Sequence, residues 1–512
     1  MTVINLIFTL LSNVLIWGGK TAFWLLKWLY RSARAGFIWA IRPASVTHGS
    51  ARWATAWEMW RGSAFGGHGI ILGKRFGRFF RLNLPGYALL VAPARAGKGT
   101  GVIIPSILSS KGSVIVTDIK AENYDVTHRD RRRHGPVFKL DLSEPEVSDC
   151  FNPLDQIRVG DIHEADDALA LANLLVDEDL NGAKHWDFKA RELLQGLIIY
   201  VCRRYESQPE LRTLAKIKSM TALGVEGLIE VLDDAGAVGS PTLRDIVSAL
   251  RGHKGTDEIR SILSNADKAL LLFASDRPGG VVTRNSDFSM ELFKQRTASL
   301  YIIVEEEKLA VYGAFLRVMI GSALMAQMRD KEIIPQHKTL FVIDEAAAIG
   351  RIPELETGAG YLAAYARLLL VFQDFNQIER TYPKAKSIIA NATALVAFGV
   401  TELDTAKRLS EMIGRKTEVS HSEGVSQASS ALLHHQASVG RSETGRALID
   451  PSEILRMPGN EALVFLTGVR HPIKARKIVY FHERRYRGRW DYWRGFKKPR
   501  SRLAWLRLRP QG

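Results

Sequence analysis

The stretch Tyr87-Ala88-Leu89-Leu90-Val91-Ala92-Pro93-Ala94-Arg95-Ala96-Gly97-Lys98-Gly99-Thr100 sets a short apolar run directly before a loop of small residues. A buried strand, a small-residue loop and a helix start form the setting in which backbone N–H groups wrap phosphates and a lysine reaches the β and γ oxygens. Lys98 holds that lysine's place, and Ala94, Arg95, Ala96, Gly97, Gly99 and Thr100 are the candidate loop contacts. Two positions depart from G-x-x-x-x-G-K-[ST]: Ala92 stands at the first glycine, and Gly99 at the hydroxyl that binds Mg²⁺, with Thr100 one residue later. A tight strand-to-helix turn with no ligand is the alternative. Pro105 should end or kink a helix beginning at Gly97 within about two turns.

A second stretch, Thr339-Leu340-Phe341-Val342-Ile343-Asp344-Glu345, ends an apolar strand in two carboxylates. That ending puts both acids at the carboxyl edge of a sheet, where open α/β sheets bind ligands. Asp344 is the candidate holder of Mg²⁺, with Thr100, and Glu345 the candidate that orients and polarises the attacking water. Two acids ending a strand are common by chance, but with the loop, each motif after a buried strand, they point to a site for ATP and Mg²⁺. Gln373 closes Leu368-Leu369-Leu370-Val371-Phe372 and is the candidate sensor of the γ-phosphate or lytic water, because an amide can donate to one oxygen and accept from another. Asp118 ends Val114-Ile115-Val116-Thr117, next to Lys120 and Glu122; for Gln373 and Asp118 alike, an ordinary polar loop start is the other reading. Arg351 and Arg367 are the nearest candidates by position for a transition-state cation, commonly supplied by a neighbouring subunit.

Six short apolar runs, at Tyr87 to Ala92, Ser113 to Asp118, Ser299 to Val304, Thr339 to Asp344, Leu368 to Gln373 and Thr393 to Phe398, suit strands buried on both faces of a parallel sheet. Between the second and third lies a helical stretch, about 155–285. There Ala190, Leu193, Leu194, Leu197, Ile198 and Val201 fall on one helix face. The expected fold class is therefore α/β, split by an inserted all-α domain. The segment Ser420 to Arg446, rich in Ser, Gly, Gln and His, lacks periodicity and reads as a mobile loop.

An ordinary balance of 46% hydrophobic and 24% charged residues over 512 positions excludes disorder and fibres. Two cysteines, Cys150 and Cys202, are too few for a disulfide framework and read as small buried hydrophobes in a reducing compartment. The net charge of +16 suggests an anionic partner and sits in two arms. Eleven Lys and Arg precede Arg95 against the single acid Glu58, and fifteen follow from Arg470 onward against Glu483 and Asp491, leaving the middle mildly acidic. Residues 1 to 19 carry no charged side chain, and ten of the fifteen from Val3 to Trp17 are Val, Ile, Leu or Phe. They favour insertion into a bilayer by about 3 to 6 kcal/mol, less the cost of Asn5 and Asn13. Lys27, Arg31 and Arg34 keep Thr21 to Ile41 from being a second span, so it reads as a basic, aromatic interfacial helix. All flanking positive charge follows the span, which puts the body in the cytoplasm.

Taken in order, several blocks resemble the type IV secretion coupling proteins, the TraG-like conjugative DNA-transfer ATPases. They are His48-Gly49-Ser50-Ala51-Arg52-Trp53-Ala54, Arg95-Ala96-Gly97-Lys98-Gly99, Asp118-Ile119-Lys120-Ala121-Glu122, Phe151-Asn152-Pro153-Leu154, Ser286-Asp287-Phe288, Asp344-Glu345 and Phe372-Gln373, with Glu443-Thr444-Gly445-Arg446 through Glu461-Ala462-Leu463-Val464. The resemblance spans roughly His48 to Phe481. It implies a RecA-like P-loop nucleotide-binding domain, an all-α domain facing the cytoplasm, and a homo-hexamer at the inner membrane. It also implies that ATP hydrolysis delivers relaxase-bound single-stranded DNA, or protein effectors, to a type IV secretion channel, with the relaxase, accessory proteins and channel components as partners.

On that basis the expected organisation is an anchor and interfacial helix at 1–42, a nucleotide-binding domain at 43–154 and 286–481 around the all-α domain at 155–285, and a basic aromatic tail at 482–512. The family usually carries two spans and often a longer C-terminal extension; this sequence departs in both respects. Another membrane DNA translocase, such as a septal chromosome pump, and a docking receptor that binds nucleotide with little turnover are the competing readings. In the tail, Arg484, Arg485, Arg487, Arg489 and Arg494 stand among Tyr486, Trp490, Tyr492 and Trp493. Nucleic acid, an anionic bilayer and plain solvent all suit it.

Overall fold

The computed structural model describes residues 47–494 apart from 177–183, 237, 253–255, 353–354, 356–361, 363 and 426–436. The expected membrane anchor and interfacial helix, and the tail beyond Arg494, lie outside the described residues. The chain divides into two compact units, one of Arg52–Ile413 with Ile449–Gly512 and one of Met1–Ala51 with Gly414–Leu448.

All six apolar runs form strands in the first unit. They are β3 (Tyr87–Val91), β4 (Val114–Asp118), β6 (Ser299–Ile303), β7 (Thr339–Ile343), β8 (Ala366–Phe372) and β9 (Ala394–Ala397). With β5 (Val137–Asp141) they make a seven-stranded parallel core in the order β9-β3-β8-β7-β4-β6-β5. Nearly every residue of the six is buried, as both faces of such a sheet are covered. Four strands extend the β9 side antiparallel: β1 (Ile70–Arg75), β2 (Arg78–Leu82), β12 (Glu461–Leu466) and β13 (Ile473–Arg476), in the order β2-β1-β13-β12. The result is a mixed eleven-stranded sheet.

Parallel registry fixes the site. Val91 pairs with Phe372, Ile343 with Leu370, and Thr117 with Ile343, so the carboxyl ends of β3, β8, β7 and β4 reach one edge together. The helix after β3 does not break at Pro105. A π turn over Gly99–Ile103 leads without a break into α1 (Ile104–Ser109), and this local departure from the α hydrogen-bond ladder stands directly before Pro105, whose missing N–H the ladder must accommodate. After β4 comes α2 (Glu122–Arg131).

Among the described residues the stretch between β5 and β6 holds helices and no strand, and belongs to the same compact unit as the sheet. Its longest helix, α3 (Lys184–Arg204), buries all six residues of the expected face. Cys150 and Cys202 are free and buried. Two blocks of the sequence resemblance meet where the chain leaves and rejoins the sheet. Cys150 N donates to Asp287 Oδ2 (2.7 Å), Asn152 N donates to Ser286 Oγ (3.0 Å), and Phe151 stacks on Phe288 at 5.6 Å between centroids. Between β6 and β7 runs α4 (Leu309–Met328). The stretch Glu306–Met328 is the one among the described residues long and apolar enough to cross a membrane, but 72% of its apolar window is buried inside the protein, so α4 is a core helix.

Beyond β13 the chain forms a strap over α1 and α2. Tyr486 is fully buried, its hydroxyl 2.9 Å from Ser109 Oγ. Arg489 pairs with buried Asp130 at 2.7 Å and donates to the Leu108 carbonyl; Arg494 pairs with Asp125 at 3.0 Å, and Asp491 with Arg129 at 2.8 Å. The described part of the tail is thus a structural element, with Arg489 and Arg494 paired to acids of α2.

In the second unit both ends of the expected loop are strand rather than loop, while 426–436 lie outside the described residues. β10 (Arg415–Val425) pairs antiparallel with β11 (Ala437–Ala447), from Arg415 opposite Ala447 to Val425 opposite Ala437. A backbone ladder needs no apolar alternation, which is why the composition hid it. Ser50 bridges to Lys416. Gly49, at φ 144°, approaches the Arg415 carbonyl so closely that a Cβ would stand 2.2 Å from its oxygen, which explains a glycine in that first block.

Candidate nucleotide site

A cavity of about 710 Å³ opens at the carboxyl edge of β3, β4, β7 and β8. Ala94, Arg95, Gly97, Lys98, Gly99 and Thr100 line it from the loop, and Asp344, Glu345 and Gln373 from the strand ends. These expected residues come together; Ala96 lies within the loop but is not among the lining residues. Of the transition-state candidates, neither Arg351 nor Arg367 lines the cavity.

The loop's shape has local causes. Arg95 (φ 62°) and Gly97 (φ 85°) are both left-handed, which reverses the chain between β3 and the helix. A Cβ at Gly97 would meet Thr100 Oγ1 at 3.1 Å, so this position favours glycine on two counts. Ala121 (φ 54°) and Glu345 (φ 55°) are also left-handed at the same edge. Such backbone costs about 1–3 kcal/mol per residue and gathers at functional sites. For Glu345 it bends the chain sharply into the short helix α5 (Ala346–Ile349) and turns the carboxylate toward the loop.

Lys98 Nζ lies 3.4 Å from Glu345 Oε2 and 4.0 Å from Asp344 Oδ1. Glu345 Oε1 accepts from Gln373 Nε2 at 2.9 Å and from Gln377 Nε2 at 3.2 Å. Gln377, on α6 (Phe375–Thr381), also accepts the Gln373 N–H at 2.8 Å, and its own N–H is capped by Asp374. Sequence reasoning missed Gln377. Its signal was the Asp374 cap, which sets the helix phase so that Gln377 faces back to the strand end. Thr117, also missed, holds the Asp344 backbone: its hydroxyl accepts the Asp344 N–H at 2.8 Å. Lys477, just past β13, donates to the Ala96 carbonyl at 2.5 Å and lies 4.5 Å over the Phe398 ring. It pins the loop from the antiparallel side, and burial lowers its pKa.

Asp344 Oδ1 is a buried atom with no hydrogen-bond partner among the described residues. Burial raises the Asp344 pKa, against the pull of Lys98, and the Glu345 charge adds to the rise. An orphaned carboxylate oxygen beside a phosphate loop fits a hard divalent cation, which takes oxygen ligands. Thr100 turns its hydroxyl onto the Gly97 carbonyl at 3.1 Å. Asp118 faces the helix rather than the cavity's centre: Oδ2 accepts the Tyr124 N–H at 2.8 Å, and Oδ1 the Asn123 amide at 3.4 Å. Burial pushes its pKa up to about 7 against those donors.

A mixed sheet with a P-loop at the end of β3, two acids ending β7 and a glutamine after β8 defines the RecA-like P-loop class. The profile of the family described as "Type IV secretory system Conjugative DNA transfer" matches residues 49–500, and the chain belongs to that family. It is 31% identical to "Conjugal transfer protein TraG" from Escherichia coli over 75% of this chain and 64% of that protein. It is 28% identical to "Protein VirD4" from Rhizobium radiobacter over 85% of this chain and 64% of that one. The chain therefore spans just under two thirds of the length of these relatives. Its fold resembles the plasmid coupling protein TrwB in complex with ADP and Mg²⁺, at a TM-score of 0.60 and 16% identity, covering 84% of this chain and 94% of that one.

Proposed function

We propose that this chain is an inner-membrane ATPase. It couples hydrolysis of ATP with Mg²⁺ to delivery of relaxase-bound single-stranded DNA, or protein effectors, into a type IV secretion channel, working as a homo-hexamer. The observation that carries the reading is the contact of Lys98 with Glu345 and Asp344, with Glu345 held from its other oxygen by Gln373 and Gln377. A lysine placed between two carboxylates is ready to exchange them for the β and γ oxygens when nucleotide enters. Its departure frees Glu345 Oε2 to accept a proton from water, while the two amides keep the carboxylate aimed. Asp344 and the loop would hold Mg²⁺, which neutralises charge on the phosphates. Membership of the conjugative transfer family supports DNA as the cargo.

The test is ATP turnover by the full chain in detergent, with and without single-stranded DNA. Turnover that needs Mg²⁺ and rises with DNA is expected; absence of turnover under both conditions contradicts the reading. Gly99, which leaves the P-loop without its usual hydroxyl, favours a second reading, a receptor that binds nucleotide and turns it over slowly. Tight ATP binding without DNA-stimulated hydrolysis would select it.

A further inference from the structure

We infer that Glu122 takes the place of the P-loop Ser or Thr in holding the divalent cation of the bound nucleotide, directly or through a water; the inference rests on the nucleotide-site reading above. Gly99 stands where that hydroxyl would project. A Cβ built there would lie 3.8 Å from Glu122 Oε1 and 3.9 Å from Oε2. The direction a serine would have filled is thus filled by a carboxylate from the first residue of α2.

Five further observations converge on Glu122. It lines the same cavity as Lys98, Asp344 and Glu345. Its carboxylate makes no hydrogen bond or ion pair among the described residues, and Lys120, the nearest cation along the chain, pairs outward with Glu306 at 3.3 Å. Asp344 Oδ1, across the cavity, is buried and lacks a hydrogen-bond partner, so two acids lack the donors that would satisfy them. Of the other carboxylate oxygens at this edge, both of Asp118 already accept donors from the start of α2. The left-handed Ala121 turns the chain immediately before Glu122.

Exchanging a neutral hydroxyl for a carboxylate has a signature. The cation should be held more tightly than by the loop alone, while nucleotide without cation should be repelled. The test measures Mn²⁺ binding by electron paramagnetic resonance on the full chain in detergent with the β,γ-imido analogue of ATP, and binding of that analogue in EDTA. Glu122→Gln should weaken Mn²⁺ by about 10- to 100-fold. In EDTA the same variant should bind the analogue as well as wild type or better. Adding Gly99→Ser to Glu122→Gln restores an oxygen in ordinary van der Waals space and should recover much of the Mn²⁺ affinity. Equal Mn²⁺ affinity in wild type and Glu122→Gln overturns the proposal, as does equal loss of Mn²⁺ and cation-free binding, the mark of a merely structural role. Failure of wild type itself to bind the analogue would instead overturn the nucleotide site.

Discussion

The nucleotide cavity and the C-terminal strap are both crowded with charge, and they use it in opposite ways. In the strap, Arg489 and Arg494 are matched to Asp130 and Asp125, and Tyr486 is buried among α1 and the β-sheet flank. In the cavity, Lys98 touches two acids at 3.4 and 4.0 Å, a looser match that leaves Asp344 Oδ1 without a hydrogen bond. A folded chain tolerates unsatisfied buried polar atoms where a ligand completes them, and pairs its charges elsewhere. Both regions meet on the same segments: the π turn that leads into α1 and the first residues of α2 line the cavity, and the strap clamps α1 and α2 from the side.

The largest expected effect separates the two regions by kind. Lys98→Ala should lower ATP turnover by about 10³-fold or more, since it removes the cation on the transferring phosphoryl, with the unfolding temperature unchanged or raised. A drop in stability comparable to the loss in activity would mean that Lys98 holds the fold, and the contrast would collapse.

Arg489→Ala should show the reverse pattern. It strands Asp130, which is 2% exposed, with only the more distant Arg133 at 3.5 Å. Breaking a buried pair costs about 3–5 kcal/mol, and the partial exposure of Arg489 reduces this to about 2–4 kcal/mol, read by thermal or urea unfolding. The salt dependence of single-stranded DNA binding should be unaltered, because this arginine is already paired. A flattened salt slope would return Arg489 to the DNA-binding residues.

Asp118 sharpens the boundary between the regions, since it lies at the cavity yet serves the helix. Its folded pKa of about 7 exceeds the unfolded 3.8, so the folded state keeps a proton that the unfolded state loses. Its contribution is therefore fully present below about pH 4 and is lost as pH rises through about 7. Relative to Asp118→Asn, wild type should lose on the order of 1–3 kcal/mol between pH 5 and 8, read by urea midpoints. A pH-independent difference would show that its hydrogen bonds outweigh its burial. Smallest is Lys477→Met, which keeps the stem against Phe398 and removes the bond to Ala96; it should weaken nucleotide binding about tenfold. Unchanged binding would make Lys477 a packing residue.

The sequence was legible where one signal decided the structure. The parallel strands read clearly because burial on both faces demands unbroken apolar runs, and all six appear within two residues of expectation. The antiparallel flank did not: Arg78 and Arg81 in β2, and Lys474 and Arg476 in β13, interrupt the pattern because these strands have a face or an end in contact with water or charge. Pro105 was misjudged since a local rule against proline cannot foresee a π turn just ahead of it. At the cavity, the meeting of Lys98, Asp344, Glu345 and Gln373 was legible from motif and strand end. Gln377, Thr117 and Lys477 were not, because each acts through a neighbour that only the folded chain supplies. The tail was ambiguous for the same reason: its partners Asp125 and Asp130 lie more than 350 residues away in sequence.

The most direct test of the account is the fate of ATP on Glu345→Gln. The substitution keeps a shape that Gln373 and Gln377 can still contact and removes the oxygen that takes the proton from water. In a filter-binding or rapid-filtration assay with Mg²⁺ and radiolabelled ATP, the full-length variant should retain unhydrolysed ATP while wild type releases ADP. Production of ADP by the variant at the wild-type rate would contradict the role assigned to Glu345.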